Sequence, residues 1–358
     1  MLFPLRQDYI GPFTGNALGT QIQKEITREF LIDSIAIILS GTVTGAVATA
    51  TPDGILNLLK RVTLNVTDGA RTRNVVDVYG PSLIQYAAKT YNIDAQTAAV
   101  FNQPTATGTG AFQITYNIPF RLPHLDDPEA SLFMLPVNRY ANNPLLTLYF
   151  GNQTDIDQNA SPTFAISGGI TATILINRRQ VNIDKWPIFD TELIEQNVAF
   201  PSSGANQIFE FPTPGVYTGI LIRGFTGAAP SAANSYLVNT NGDYRISVLG
   251  TVLRRIQPVY LQALNDMAVG AIQLGKNPSP NVTTAVGTTY LDFLDVSGGR
   301  TMGDFGSALD ANGLPAAGAR VQFIGDINGT TGAHLNFMWH RVFGDVASLK
   351  AATKLQTG

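Results

Sequence analysis

Three histidines (His124, His334 and His340) and 26 carboxylates are the groups from which this 358-residue chain would have to build catalysis or a metal site. His334 and His340 stand six apart in HLNFMWHRV, which reads as a strand, so both fall on one face. Such a pair can bind a metal, but two half-buried structural histidines give the same spacing, and that is the expectation. The richest polar cluster is His124-Leu125-Asp126-Asp127-Pro128-Glu129, with the chemistry to hold a hard cation such as Ca²⁺. A proline-punctuated surface loop produces the same string without a metal, and no metal is expected there. Arg178-Arg179 and Arg254-Arg255 are the only Arg-Arg pairs. In strands each pair splits across two faces, which fits ion pairs between subunits better than a nucleic-acid groove. The chain has no G-x-S-x-G elbow, no P-loop and no G-x-G-x-x-G. It has no cysteine, which removes disulfides and thiolate chemistry. The reading is a protein without catalytic residues, cofactor or metal.

Composition points the same way. Hydrophobic residues make up 44% of the chain and charged residues 14%, against roughly 25% charged in an average globular domain. A surface this poor in charge is weakly defended against association. A net charge of −3 with seven lysines gives no basic footprint for direct nucleic-acid binding. No apolar run reaches the ~18–20 residues that span a bilayer, and MLFPLRQDYIGPF lacks the apolar core of a secretory signal. The expectation is a soluble chain that at most touches a membrane surface.

The elements that carry these residues are written twice. Residues 64–92 (LNVTDGARTRNVVDVYGPSLIQYAAKTYN) and 237–268 (LVNTNGDYRISVLGTVLRRIQPVYLQALNDMA) each read as strand, turn, strand and short helix. The turns, Thr67-Asp68-Gly69 and Thr240-Asn241-Gly242, use residues that tolerate positive φ. The helices open on Pro81 and Pro258, where a missing N–H costs nothing. Gln85 matches Gln262 at an offset of 177, and Gly110 matches Gly287 at the same offset.

Further strands are expected at 31–47, 57–67, 72–79, 110–120, 145–152 and 170–181, then at 208–211, 217–225, 288–296, 320–328 and 334–342. Many short strands with Gly/Pro turns and long crossovers fit jelly rolls. The fold class expected is all-β, two tandem eight-stranded jelly rolls with short helices. The divisions are a leading arm 1–30, a first roll 31–186, a second roll 187–346 and a tail 347–358. Leu18, Ile22, Ile26 and Phe30 fall four apart among charged residues, which predicts an amphipathic helix in the arm, packed on its own domain, a neighbouring subunit or lipid. VNIDKWPIFD (181–190) is expected to join the rolls, with Trp186 and Phe189 in the seam.

This order of phrases resembles the double jelly-roll major capsid proteins of tailless icosahedral viruses with an internal membrane, the tectivirus-like group whose wider lineage includes the adenovirus hexon. The likeness rests on the arm at 16–30, on GTVTGAV, RVTLNVTDG and VVDVYGPSLIQY, and on GAFQITYNIPF, LPVNRYANNPLLTLYFGN and ITATILINRRQVNIDKWP. It spans about residues 15–345 as a pattern of architecture, not as a diagnostic motif. The resemblance implies a homotrimer of pseudo-hexagonal outline that tiles an icosahedral shell with neighbouring trimers, minor capsid proteins and vertex proteins. It implies assembly in the host cytoplasm and residence in the virion. It would place Leu18, Ile22, Ile26 and Phe30 on the inner face near the membrane. Loops around 93–109, 122–132 and 276–286 would be tower tops or contacts between capsomers.

Two other classes are consistent with a β-rich chain. A carbohydrate-binding jelly roll would present aromatic platforms at loop tips, whereas Trp186 and Trp339 sit in a linker and a strand. A cupin-like or glycosidase-like enzyme would need a histidine and carboxylate set that three scattered histidines barely allow.

Overall fold

The structure is a computed structural model. It describes residues 5–45, 53–69, 71–90, 99–101, 109–121, 134–157, 159, 162–180, 189–212, 215–227, 236–238, 242–248, 251–261, 263, 287–292, 303–305 and 321–344. The acidic cluster at 124–129, the joining segment 181–188 with Trp186, and the tail at 347–358 lie outside these residues. So do nearly all of the three loops expected at the tower tops.

The first half contains β1 (Leu5–Asn16), β2 (Gln21–Glu25), β3 (Leu31–Thr44), β4 (Leu59–Asp68), β5 (Arg71–Tyr79), β6 (Ala99–Phe101), β7 (Thr109–Pro119), β8 (Leu145–Phe150) and β9 (Ala165–Arg179). A 3-10 turn (Gly54–Leu58), helix α1 (Gly80–Thr90) and helix α2 (Gln153–Ile156) interrupt them. The second half contains β10 (Phe189–Ala199), β11 (Gly204–Phe211), β12 (Gly215–Phe225), β13 (Tyr244–Val248), β14 (Thr251–Ile256), β15 (Thr288–Asp292), β16 (Gly303–Phe305), β17 (Val321–Ile327) and β18 (His334–Gly344). The helical turn expected at Pro258 occupies residues 258–261.

The duplication read from short phrases extends to the whole topology. One sheet of the first half runs β1-β9-β3-β7-β6, and the matching run in the second half is β10-β18-β12-β15. The opposing layers are β5-β4-β8-β2 and, in the same order, β14-β13-β17-β11. Each roll is therefore built on two layers of four equivalent strands, with the short β6 added beside β7 and the short β16 beside β12. β3 shows why they form: Ile35, Ile37, Leu39 and Val43 alternate inward and are buried, while Ala36 and Ile38 keep partial exposure. Each roll closes over its own apolar cluster.

At the β4–β5 hairpin, Asp68 pairs with Arg71, and Gly69 takes φ +57° with open space where a Cβ would stand. Backbone conformation alone therefore resists a side chain. Gly69→Ala is expected to lower stability by about 1 kcal/mol and Gly69→Asn by less, measured by urea unfolding. The matching turn at 239–241 lies outside the described residues.

The arm departs from the expectation. Residues 5–25 are not helical but form two strands, β1 along β9 and β2 along β8. The apolar spacing of four is also a multiple of two, so Ile22 and Ile26 share a strand face as readily as a helix face. Gly15 and Gly19, at φ +75° and +74°, set the turn between the strands. Ile26 is fully buried in the first core, Leu18 and Ile22 pack against that core, and Phe30 is half-buried with φ +58°.

Candidate functional site: the seam between the rolls

The expected joining segment 181–190 overlaps β10 only at Phe189 and Asp190, and no strand was expected over 191–199; β10 is the strand on which the two rolls meet. It pairs antiparallel with β18 of its own roll and parallel with β5 of the first, at Leu193–Val76 and Ile194–Asp77. Strands of both rolls thus form one nine-stranded sheet. Within the run β10-β18-β12-β15, β18 is buried on both faces over 334–342. Leu335, Phe337 and Trp339 of β18 enter the second core, while Met338 joins the first. Tyr86 of α1 meets Tyr290 of β15 edge to face at 5.8 Å.

A polar network sits inside this apolar seam. Glu195 accepts hydrogen bonds from the Tyr79 backbone N–H (2.9 Å), the Ser82 hydroxyl (2.8 Å) and Asn336 Nδ2 (2.9 Å). Arg223 on β12 donates to Ser82 Oγ at 2.9 Å and to both oxygens of Asp53 at 2.7 and 2.6 Å. Arg223 and Asp53 are 3% and 2% exposed. Burial pushes the Glu195 carboxyl above the ordinary glutamate value, against the pull of Arg223 and the three donors. Nearer the sheet end, Arg73 of β5 meets Asp190 at 2.8 Å, and burial raises the Asp190 carboxyl. On the second roll's own side, Glu192 accepts from Trp339 Nε1 at 3.2 Å and pairs with Arg341 at 2.8 Å. Buried charge pairs contribute little net stability but penalise any arrangement that separates them. The network therefore acts as a register lock between the rolls, where apolar packing alone would allow sliding.

The two histidines of β18 face this seam as separate structural groups. His340 Nε2 lies 3.1 Å from Thr191 Oγ1, and His334 Nδ1–H donates to the Gly332 carbonyl at 3.1 Å. His334 stacks on Phe225 at 4.7 Å. Among the described residues no three His, Cys, Asp or Glu side chains are grouped to hold a metal. Burial lowers the His334 pKa below its ordinary 6.5. Its folded form then binds fewer protons than the unfolded chain, so stability is full above about pH 6.5 and falls as pH drops below it. Between about pH 7 and 5, a His334→Phe variant is expected to lose less stability than the unmodified chain in urea titrations.

Three of the four paired arginines have acidic partners within the chain. Arg178, 1% exposed, meets Asp8 at 2.6 Å; Arg179 meets Asp33 at 2.8 Å; Arg255 pairs with Asp243. The acids lie far off in sequence or behind a turn, so adjacency of the arginines did not reveal them. Trp339 is buried and offers no sugar platform. An open groove of about 600 Å³ beside α2, lined by residues including Leu18, Asn152 and Ile166, has no ionisable side chain in its wall. No helix among the described residues is long and apolar enough to cross a membrane.

No protein family model and no curated protein matches this sequence. Solved structures do match. The major capsid protein of Sulfolobus turreted icosahedral virus (STIV) is 14% identical, covering 95% of this chain and 96% of that one at a TM-score of 0.64. A chain of the atomic structure of the same virus is 16% identical, covering 97% and 93% at 0.65. The major capsid protein P2 of bacteriophage PM2 is 10% identical, covering 95% and 98% at 0.52. Two equivalent eight-stranded rolls locked along β10, matched end to end by these coats, give the conclusion: the chain has the double jelly-roll fold of viral major capsid proteins.

Proposed function

We propose that this chain is a viral major capsid protein, a structural subunit without enzymatic activity. It assembles as a homotrimer of pseudo-hexagonal outline that tiles an icosahedral shell around an internal membrane. The observation that carries this reading is the pair of equivalent rolls, joined through β10 and matched over at least 93% of each coat protein compared. Three such chains present six similar lobes, which suits a site of sixfold packing. A surface with few charges supports it too, because faces can meet without desolvating many ions. Neighbouring trimers, minor capsid proteins and vertex proteins are the partners, with no direct nucleic-acid contact. Assembly takes place in the host cytoplasm and the product resides in the virion. The inner face carries the segment 16–30, where Leu18, Ile22 and Phe30 keep some exposed surface and Ile26 belongs to the core. Negative-stain images of the purified chain are expected to show particles with a hexagonal outline. Isolated two-lobed particles would count against the proposal.

A further inference from the structure

The network that joins the rolls leaves four buried polar atoms without a hydrogen-bond partner among the described residues: Arg223 Nε, Asn336 Oδ1, Thr288 Oγ1 and Gln85 Oε1. Their residues are 3%, 5%, 1% and 2% exposed. A buried group of this kind is costly to leave unbonded, so folded proteins nearly always supply it with a partner.

The four groups converge from both rolls. Thr288 of β15 and Asn336 of β18 are the two cross-strand partners of Arg223 on β12, so the three stand in one row on one face of the sheet. Tyr290, Met338 and Leu221, each two residues along the same strands, join the first core and identify that face as the one turned to the first roll. Gln85 comes from the opposite side. It follows Ser82 on α1 by three residues and therefore shares its helix face. Ser82 is bonded to both Glu195 and Arg223, and the next residue after Gln85, Tyr86, meets Tyr290 of β15.

The chemistry of the four atoms selects the ligand. Arg223 Nε–H can only donate, the two amide oxygens can only accept, and the Thr288 hydroxyl can do either. A metal cation cannot accept from the guanidinium, and an anion such as chloride cannot donate to the amide oxygens. Water does both. We infer that the seam between the rolls holds an internal water site, in which bound water accepts from Arg223 Nε–H and donates to Asn336 Oδ1 and Gln85 Oε1, with Thr288 Oγ1 completing the shell. Internal waters of folded proteins make about three such bonds each. The site ties α1 of the first roll to three strands of the second, beside the direct bonds of Glu195 and Asp53. It belongs to the fold and holds whether or not the chain builds a capsid.

Crystals of the full chain that diffract well enough to order internal waters test the site directly. The expected result is a water within about 3.2 Å of Arg223 Nε and of at least two of the other three atoms. Packed protein without water at this place would overturn the inference, and so would direct bonds among the four groups. Urea unfolding gives a second arm. Thr288→Val and Gln85→Met keep side-chain volume nearly unchanged and remove one partner of the water from each roll. Each is expected to lower the folding equilibrium constant about fivefold. Valine is at least as good a strand former as threonine, so propensity works against that loss. In a dry seam the sign reverses, because removing an unbonded buried hydroxyl is favourable. An unchanged or raised constant for Thr288→Val would therefore overturn the site. The double variant is expected to lose much less than the product of the two single losses, since both act on the same water. Losses that simply multiply would overturn the bridge between the rolls. Circular dichroism checks that the variants fold.

Discussion

Replacing Arg223 with alanine is expected to lower folding stability by about 3–5 kcal/mol. The guanidinium is the bidentate partner of Asp53 and a donor to Ser82, and neither Arg223 nor Asp53 has more than 3% of its side chain exposed. Removing it leaves a carboxylate in the seam with no other ion-pair partner among the described residues and little access to water. The size of the effect comes from that orphaned charge, not from the net worth of the pair. An Asp53→Leu/Arg223→Met double variant is therefore expected to recover most of the loss, as apolar pairs of similar volume do. Urea unfolding of the two single variants and the double variant measures this as a double-mutant cycle. A loss under about 1 kcal/mol for Arg223→Ala would show that Asp53 finds water or another donor, and that the network does not lock the rolls.

The second large effect is expected at Arg178, where alanine should cost about 3 kcal/mol. This buried side chain ties β9 to Asp8 of β1 and to the segment between β2 and β3. It donates to the Thr27 carbonyl and the Glu29 carbonyl at 3.0 and 2.6 Å, and to Thr27 Oγ1 at 3.0 Å. The consequence should be local as well as global, with β1 opening before the rest of the first roll. Hydrogen exchange at the Leu5–Ile10 amides and protease cleavage within 5–16 are the readouts. Arg178→Lys should rescue only a minor part, since a single ammonium cannot serve acceptors spread over two segments.

Much of the architecture was legible because alternation in β3, β7 and β9 is strong and the repeated turns use Asp-Gly and Pro in fixed places. β10 was not legible. Its sequence, FDTELIEQNVA, carries Thr191, Glu192 and Glu195 among its apolar residues, and no strand was expected there. Thr191 and Glu192 find their partners on β18 of the same roll, whereas Glu195 takes the Tyr79 N–H and the Ser82 hydroxyl from the first roll, and in the network of Glu195 and Arg223 donors and acceptors lie 113 to 170 residues apart. Local pattern holds no trace of such pairings. The arm failed for a different reason. An apolar residue every fourth position satisfies both strand and helix periods, and the edges of β9 and β8 decided between them. Deleting residues 1–30 therefore removes two strands and the core residue Ile26, and is expected to destabilise the first roll instead of merely blocking assembly.

Mass by light scattering on the purified chain tests the central claim most directly. The proposed capsid subunit predicts a single species at three times the chain mass of 38.4 kDa. A monomer or dimer that stays so across a wide concentration range would contradict it.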